Sequence, residues 1–290
     1  MKIYTFNQHC LDTYGEKLYK LSLDGGFCCP NRPDRNHGGC AFCAGGSGFF
    51  NPQGTIEQQI DRAKEQVRSK YKGSRYIAYF QSYTNTYAPV EQLRALYWPV
   101  VQREDIAALS IGTRPDCLPA HVVALLGELS QIKPLYVELG LQTANDGTAQ
   151  QFGRGYPTAC FFEAVAALKQ YPNIHVVAHV MIGLPGEGER ELLDTVRAVN
   201  EAGVQGVKLH LLHILKGTEY EKQYRQGRIT PLTMEQYGDL LTAALKALKP
   251  GTVIHRFTGD GPKALLLAPL WSGDKKRVLN YLNQRIEQMP

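Results

Sequence analysis

Lys17-Leu-Tyr-Lys-Leu-Ser-Leu-Asp24 runs directly into Gly25-Gly-Phe-Cys-Cys-Pro-Asn-Arg-Pro-Asp-Arg-Asn-His-Gly-Gly-Cys-Ala-Phe-Cys43. The first stretch alternates apolar and polar side chains and stops at two glycines, the pattern of a strand entering a loop. Residues 26–52 are loop-like, rich in Gly, Pro, Asn and Cys. Residues 55–71 then read as a helix, with Thr55 as N-cap and Ile56, Ile60, Ala63 and Val67 on one face. The same alternation continues outward. Strands are expected at 75–81, 105–113, 135–142, 174–183, 204–213 and, shorter, at 253–257. Helices are expected at 90–101, 119–129, 160–169, 187–202, 233–248 and, terminally, 275–288. Successive strand–helix units imply parallel strands joined by right-handed crossovers. Six units are too few for a closed eight-fold barrel and suit an α/β fold with a partial (β/α)6 TIM-like barrel. With no repeat or evident linker, residues 1–290 are expected to form one domain. Its barrel core would span about 17–258, with a small N-terminal addition and a C-terminal extension at about 259–290.

Composition narrows the class of protein. Hydrophobic residues make up 43% of the 290 and charged residues 20%, the balance of a globular enzyme rather than a disordered chain. No apolar run approaches the roughly 18 residues needed to span a bilayer. The start, Met1-Lys-Ile-Tyr-Thr-Phe-Asn-Gln-His9, lacks the apolar core of a signal peptide, so the expected location is cytoplasmic, with no membrane partner. A net charge of +5 permits a nucleic-acid partner, but a solvated basic face gives the same total.

Four of the seven cysteines fall within residues 28–43. In a reducing compartment, thiols so closely spaced more often bind metal than form disulfides. Active sites of parallel barrels gather at the carboxyl ends of the strands, which is where this loop begins. Cys40 and Cys43 are separated by two residues and preceded by Gly38-Gly39, so the backbone can wrap closely around a metal centre. Cys29 is the nearest well-placed third thiolate. Three thiolates on a [4Fe–4S] cluster leave one iron open for an exchangeable ligand. The competing reading is a structural zinc site on the same cysteines plus His37. Cys28 could replace Cys29, although neighbours on an extended backbone point in opposite directions.

The Cys-x10-Cys-x-Phe-Cys loop after a strand resembles the radical S-adenosylmethionine enzymes, with the widened first gap of their Elp3-related branch. Leu23-Asp-Gly-Gly-Phe27, Glu138-Leu-Gly-Leu-Gln-Thr143, Gly183-Leu-Pro-Gly-Glu187 and His255-Arg-Phe-Thr-Gly-Asp260 extend the resemblance to a short Elp3-like subfamily, over about residues 17–271. The resemblance implies a [4Fe–4S] cluster on Cys29, Cys40 and Cys43, with S-adenosylmethionine chelating the open iron. It also implies an electron donor such as flavodoxin or ferredoxin.

The cofactor contacts implied by the resemblance are spread over the strand ends. Phe42 would pack near the adenine. Gln81, Ser82 and Tyr83 stand where the family usually has a Gly-Gly-Glu or Gly-Gly-Thr stretch for the cofactor amine, so that role would pass to backbone carbonyls and a hydroxyl. In strand 135–142, Tyr136, Glu138, Gly140 and Gln142 share one face, and Val137, Leu139 and Leu141 the other. A barrel wrapped in helices turns its apolar face outward, which points Glu138 and Gln142 inward. A buried carboxylate must be paired or liganded. Ribose hydroxyls would satisfy Glu138, as would an ion pair with Arg114 or Lys208. The resemblance assigns Gln142 to the cofactor and Arg154 to its carboxylate, the alternative for Arg154 being an exposed helix-end arginine. His179 stands where relatives often carry an Asp, and is either a ribose contact or a satisfied core histidine. Gly186 is free to adopt positive φ beside the adenine.

The resemblance points to the wobble uridine of tRNA as substrate, with trimming of a 5-carboxymethylaminomethyl group to aminomethyl as one concrete version. Candidate residues for steering the chemistry are His210, His213, Lys216, Tyr83, Arg114 and His255. Residues 61–75 carry a local charge excess of +4, which could track phosphates or could simply be a solvated helix face. The chain is expected to lack the acetyltransferase domain of full Elp3 proteins. A radical enzyme on a small molecule and a zinc-containing nucleic-acid-binding protein are the alternatives.

Overall fold

The structure, a computed structural model, describes residues 3–45, 54–259, 261 and 263–289. Seven strands form one parallel sheet: β1 (Tyr19–Leu23), β2 (Tyr76–Phe80), β3 (Ile106–Thr113), β4 (Leu135–Gln142), β5 (Ile174–Ile182), β6 (Gly206–Leu211) and β8 (Val253–Arg256). They lie side by side in that order and curl into a partial barrel. The helices are α1 (Phe6–Tyr14), α2 (Ile56–Val67), α3 (Val90–Gln102), α4 (Ala120–Ser130), α5 (Asp146–Gln151), α6 (Thr158–Leu168), α7 (Glu189–Ala202), α8 (Glu219–Arg225), α9 (Met234–Ala247) and α10 (Lys275–Glu287). A two-stranded antiparallel ribbon pairs β7 (Ile214–Leu215) with β9 (Leu266–Ala268). No described helix is long and apolar enough to cross a membrane.

The period-two pattern divides each strand between two environments. Leu21, Phe80, Ile111, Leu139, Ala178 and Leu209 face outward into the main core, where they meet helix residues such as Ile60, Leu93 and Phe161. The intervening residues line the lumen. Thr55 caps α2 with a reciprocal box to Gln58, and Thr233 caps α9 in the same way with Gln236.

Residues 1–16 carry no strong helical pattern, yet Phe6–Tyr14 forms a helix that plugs the amino-terminal end of the lumen. Phe6 stacks on His255 at 4.3 Å and meets Tyr136 edge-on at 5.5 Å. His9 Nε2 bonds the Tyr136 hydroxyl at 2.9 Å. The chain before this helix also pairs with the open edge of the sheet, Ile254 N donating to Tyr4 O. The short α5 and α8 and the ribbon likewise escape sequence reading, because so few residues establish no period. Replacing Phe6 with Ala is expected to cost about 3 kcal/mol of unfolding free energy, measured by denaturant titration, since it opens a void against Tyr136 and His255.

Candidate active site

The cysteine loop leaves β1 through Asp24, whose carboxylate pairs with Arg35. Gly38 and Gly39 have φ of +74° and +105°, so the chain turns where side chains would be strained. A Cβ on Gly39 would stand 2.7 Å from the Arg32 guanidinium, and its absence lets that group lie under the loop. Arg32 Nη2 donates to Cys43 Sγ at 3.1 Å and to Cys43 O at 3.0 Å. Cys29 Sγ lies 3.0 Å from Thr84 Oγ1, and Cys40 Sγ 3.5 Å from Asn31 Nδ2. Cys29, Cys40 and Cys43 are within electrostatic reach of one another. Burial pushes the Cys29 thiol up, and the Cys40 thiol up to about 11, while Arg114 and polar neighbours pull the other way.

His37 does not join them. Its ring is exposed and bonds Asp34 at 2.8 Å. Among the described residues, no three His, Cys, Asp or Glu side chains converge as they would on a single metal ion. Cys28 offers its carbonyl to Thr84 N at 3.2 Å.

The segment after β2 closes over the loop. Tyr83 adopts φ +62°, which is uncommon outside glycine, and its hydroxyl donates to Arg35 O at 2.8 Å. The Arg35 guanidinium lies 4.3 Å from its ring. Ser82 is buried, and Gln81 Oε1 accepts from Ser22 at 3.5 Å. Asn85, which sequence reading passed over, holds the turn: its Nδ2 donates to Phe80 O, Ser82 O and Gly112 O at 2.9–3.1 Å. Thr84, equally unremarked, is the polar neighbour of Cys29. An isolated Thr-Asn pair carries no sequence signal for either role.

Glu138 points into the lumen and is fully buried. Its Oε1 accepts from Lys20 at 2.8 Å and Ser110 at 2.7 Å, and its Oε2 from Tyr79 at 2.9 Å, His179 at 2.8 Å and Lys208. Burial by itself would raise this carboxyl, but Lys20 and Lys208 outweigh it and hold it well below the usual carboxylate range. Of the two ion pairs expected for Glu138, the one with Lys208 forms. Arg114 instead clamps Asp116 at 2.7–2.9 Å and faces the Tyr156 ring at 4.8 Å. His179 is lowered by burial despite its carboxylate partner.

Arg154 is 1% exposed rather than a surface group. Its Nε donates to Tyr156 O, Nη1 to Leu141 O and Thr143 O, and Nη2 to Asp146 and Thr158, at 2.6–3.0 Å. All five N–H donors are thus committed inside the protein. The structure corrects the exposed reading of this residue: it is buried and stitches the end of β4 to α5 and α6, with Nη2 on the Asp146 carboxylate. Gln142 sits at φ +61° beside a register shift against β5. Its amide folds over Gly140, whose Cβ, if present, would lie 2.6 Å from Nε2. Phe42 packs edge-on against Phe152 at 5.4 Å. Gly186 has φ +81°.

At the end of β6, His210 lies 5.0 Å from the His179 ring, and its buried Nε2 has no partner. His255 belongs to the aromatic plug below, and His213 packs near Gly259 and Gly261. Lys216 is exposed on the ribbon. Two cations of the basic 61–75 segment are drawn inward, Lys64 to Asp105 at 2.8 Å and Arg75 to Glu16 at 2.7 Å.

Arg154→Met should lower unfolding free energy by about 2–4 kcal/mol, because it strands the buried carbonyls of Leu141, Thr143 and Tyr156. A cofactor-only role would leave the denaturation midpoint unchanged and lower cofactor affinity alone.

Comparison with known proteins agrees with this geometry. The Radical SAM superfamily pattern matches residues 29–199, and the Radical_SAM C-terminal domain residues 204–288. The Bacillus subtilis protein YtqA is 43% identical over 290 residues, covering 99% of this chain and 90% of that protein. A Dehalococcoides mccartyi tRNA uridine(34) acetyltransferase is 31% identical over 182 residues, which are 61% of this chain and 38% of the relative. The fold is similar to that of Elp3 from the archaeon Methanocaldococcus infernus, with TM-score 0.65 and 19% identity over 79% of this chain and 58% of that one. With more than half its length matched, the chain belongs to the radical S-adenosylmethionine superfamily, whose cofactors are a [4Fe–4S] cluster and S-adenosylmethionine.

Proposed function

We propose that Cys29, Cys40 and Cys43 hold the cluster and that the enzyme remodels the 5-substituent of the tRNA wobble uridine. In the concrete version, a carboxymethylaminomethyl group is trimmed to aminomethyl. The observation that carries the radical assignment is the grouping of three partly buried thiols beside Arg32 and Arg114. Burial disfavours their free thiolates, and the adjacent guanidinium groups favour an anionic centre, so this donor set fits a thiolate-bound cluster. The cofactor, when bound, supplies a 5′-deoxyadenosyl radical for hydrogen abstraction.

The chain's own residues position and shield. Tyr83 closes over the loop through Arg35, and Asn85 fixes the turn that places Thr84 against Cys29. Phe42, Gln81, Ser82, Gln142 and Gly186 would receive the adenosyl part. The tRNA reading draws on the likeness to a protein named for tRNA uridine 34. A flavodoxin or ferredoxin would supply the electron.

Purified without oxygen, the protein should be brown, and Cys29→Ala should remove the broad visible absorption of the iron–sulfur centre. In cells lacking the protein, mass spectrometry of tRNA nucleosides should show 5-carboxymethylaminomethyl uridines accumulating at the expense of aminomethyl ones. An unchanged wobble uridine profile overturns the tRNA reading and favours a small-molecule substrate.

A further inference from the structure

We propose that the lumen holds a carboxylate-binding site in which Lys208, His210 and Arg256 take the carboxylate of the substrate. The assignment rests on the reading that substrate enters the lumen, but not on that substrate being tRNA.

The site follows from a mismatch of donors and acceptors. Glu138 is saturated, because its two oxygens already receive five donors. The cations around it are not. Lys208 donates to Glu138 and to Tyr79 OH at 2.9 Å, which leaves one of its three N–H groups over. His210 Nε2, one turn of the pleat along β6, is buried with no partner. Arg256 is the register partner of Lys208 on the neighbouring strand and within electrostatic reach of both Lys208 and His210. None of the ion pairs among the described residues includes it.

Charge shows the same imbalance. Lys20 and Lys208 are buried or nearly so against the single carboxylate of Glu138, a buried excess of one positive unit. Such an excess is costly unless an anion offsets it. The cost is visible at Lys208, where burial pulls the ammonium down to about 7, with Lys20 adding to the fall and Glu138 opposing it. A monoanion balances the buried charges of Lys20, Lys208 and Glu138, whereas a dianion would leave a buried negative charge, and Arg256 closes the site from its exposed side. The layer is also reachable: the side chains of Lys20 and His179 remain 19% and 24% exposed. A carboxymethyl group meets these requirements, with its two oxygens bridging the ammonium, the imidazole and the guanidinium.

The test is fluorine NMR of fluoroacetate with cluster-loaded protein and S-adenosylmethionine present, so that the cofactor's own carboxylate is already accounted for. The expected result is broadening of the fluoroacetate signal, reversed by acetate and much less by inorganic phosphate. Lys208→Met and His210→Phe should each weaken binding by roughly thirtyfold or more, as losing one partner of a buried charge contact does, and Lys208→Arg should retain most of it. Circular dichroism checks each variant for folding, and the wild-type titration stands without any variant. Absence of broadening, tighter binding of phosphate than acetate, or undiminished binding in folded Lys208→Met and His210→Phe overturns the site. Fluoroacetate binding with unaltered wobble uridines in cells would leave this site standing and remove the tRNA reading. Altered uridines without fluoroacetate binding would do the reverse.

Discussion

The carboxylate of Glu138 receives hydrogen bonds from β1, β2, β3, β5 and β6 at once, through Lys20, Tyr79, Ser110, His179 and Lys208. A barrel left open between its first and last strands has no closed ring of backbone bonds to set its curvature. Side chains reaching inward from successive strands to one acceptor supply that constraint from within. Charge makes it strong, since ion-assisted hydrogen bonds are about twice as strong as neutral ones. It also makes the lumen polar, so the middle of the fold serves chemistry rather than packing. Apolar burial lies on the outer face, under the helices, in the aromatic plug at the amino-terminal end, and in a smaller cluster of Phe152, Leu184, Leu212 and Tyr220 beside the cysteine loop.

Above that layer, side chains capture backbone groups at the strand ends. Arg154 binds the carbonyls of Leu141, Thr143 and Tyr156, and Asn85 those of Phe80, Ser82 and Gly112. Both act where loops leave parallel strands and carbonyls lose their ladder partners, which must be satisfied when buried. Among the described residues, the two non-glycine positions with positive φ, Tyr83 and Gln142, lie in these same segments. Rigid strand ends with positive φ at the rim are what a site needs if it is to present backbone groups to a cofactor.

Much of this was legible in the chain. The seven strands and seven of the helices follow from period-two and period-3.6 patterns, and the expected inward face of β4 holds through Glu138. At Gln142 a register shift and a positive φ interrupt the regular strand, a detail no sequence pattern announces, although its amide still lies on the Gly140 side. Arg154 shows the other limit: a Gly-Arg-Gly string looks equally like a surface turn or a cofactor clamp. Only the approach of three separate carbonyls reveals a structural role. The plug helix escapes the sequence pattern because its burial depends on Tyr136 and His255, both distant in sequence.

By itself the sequence determined the fold class, the loop that carries the three cysteines and the superfamily, because local periodicity and motif spacing survive without knowledge of partners. The tertiary structure decided which charges meet. Pairing Glu138 with Lys208 rather than Arg114, committing Arg154 to carbonyls, and leaving His210 Nε2 bare all depend on register between strands far apart in the chain. Electrostatic partnership is a matter of ångströms in space, and no spacing along one strand encodes it.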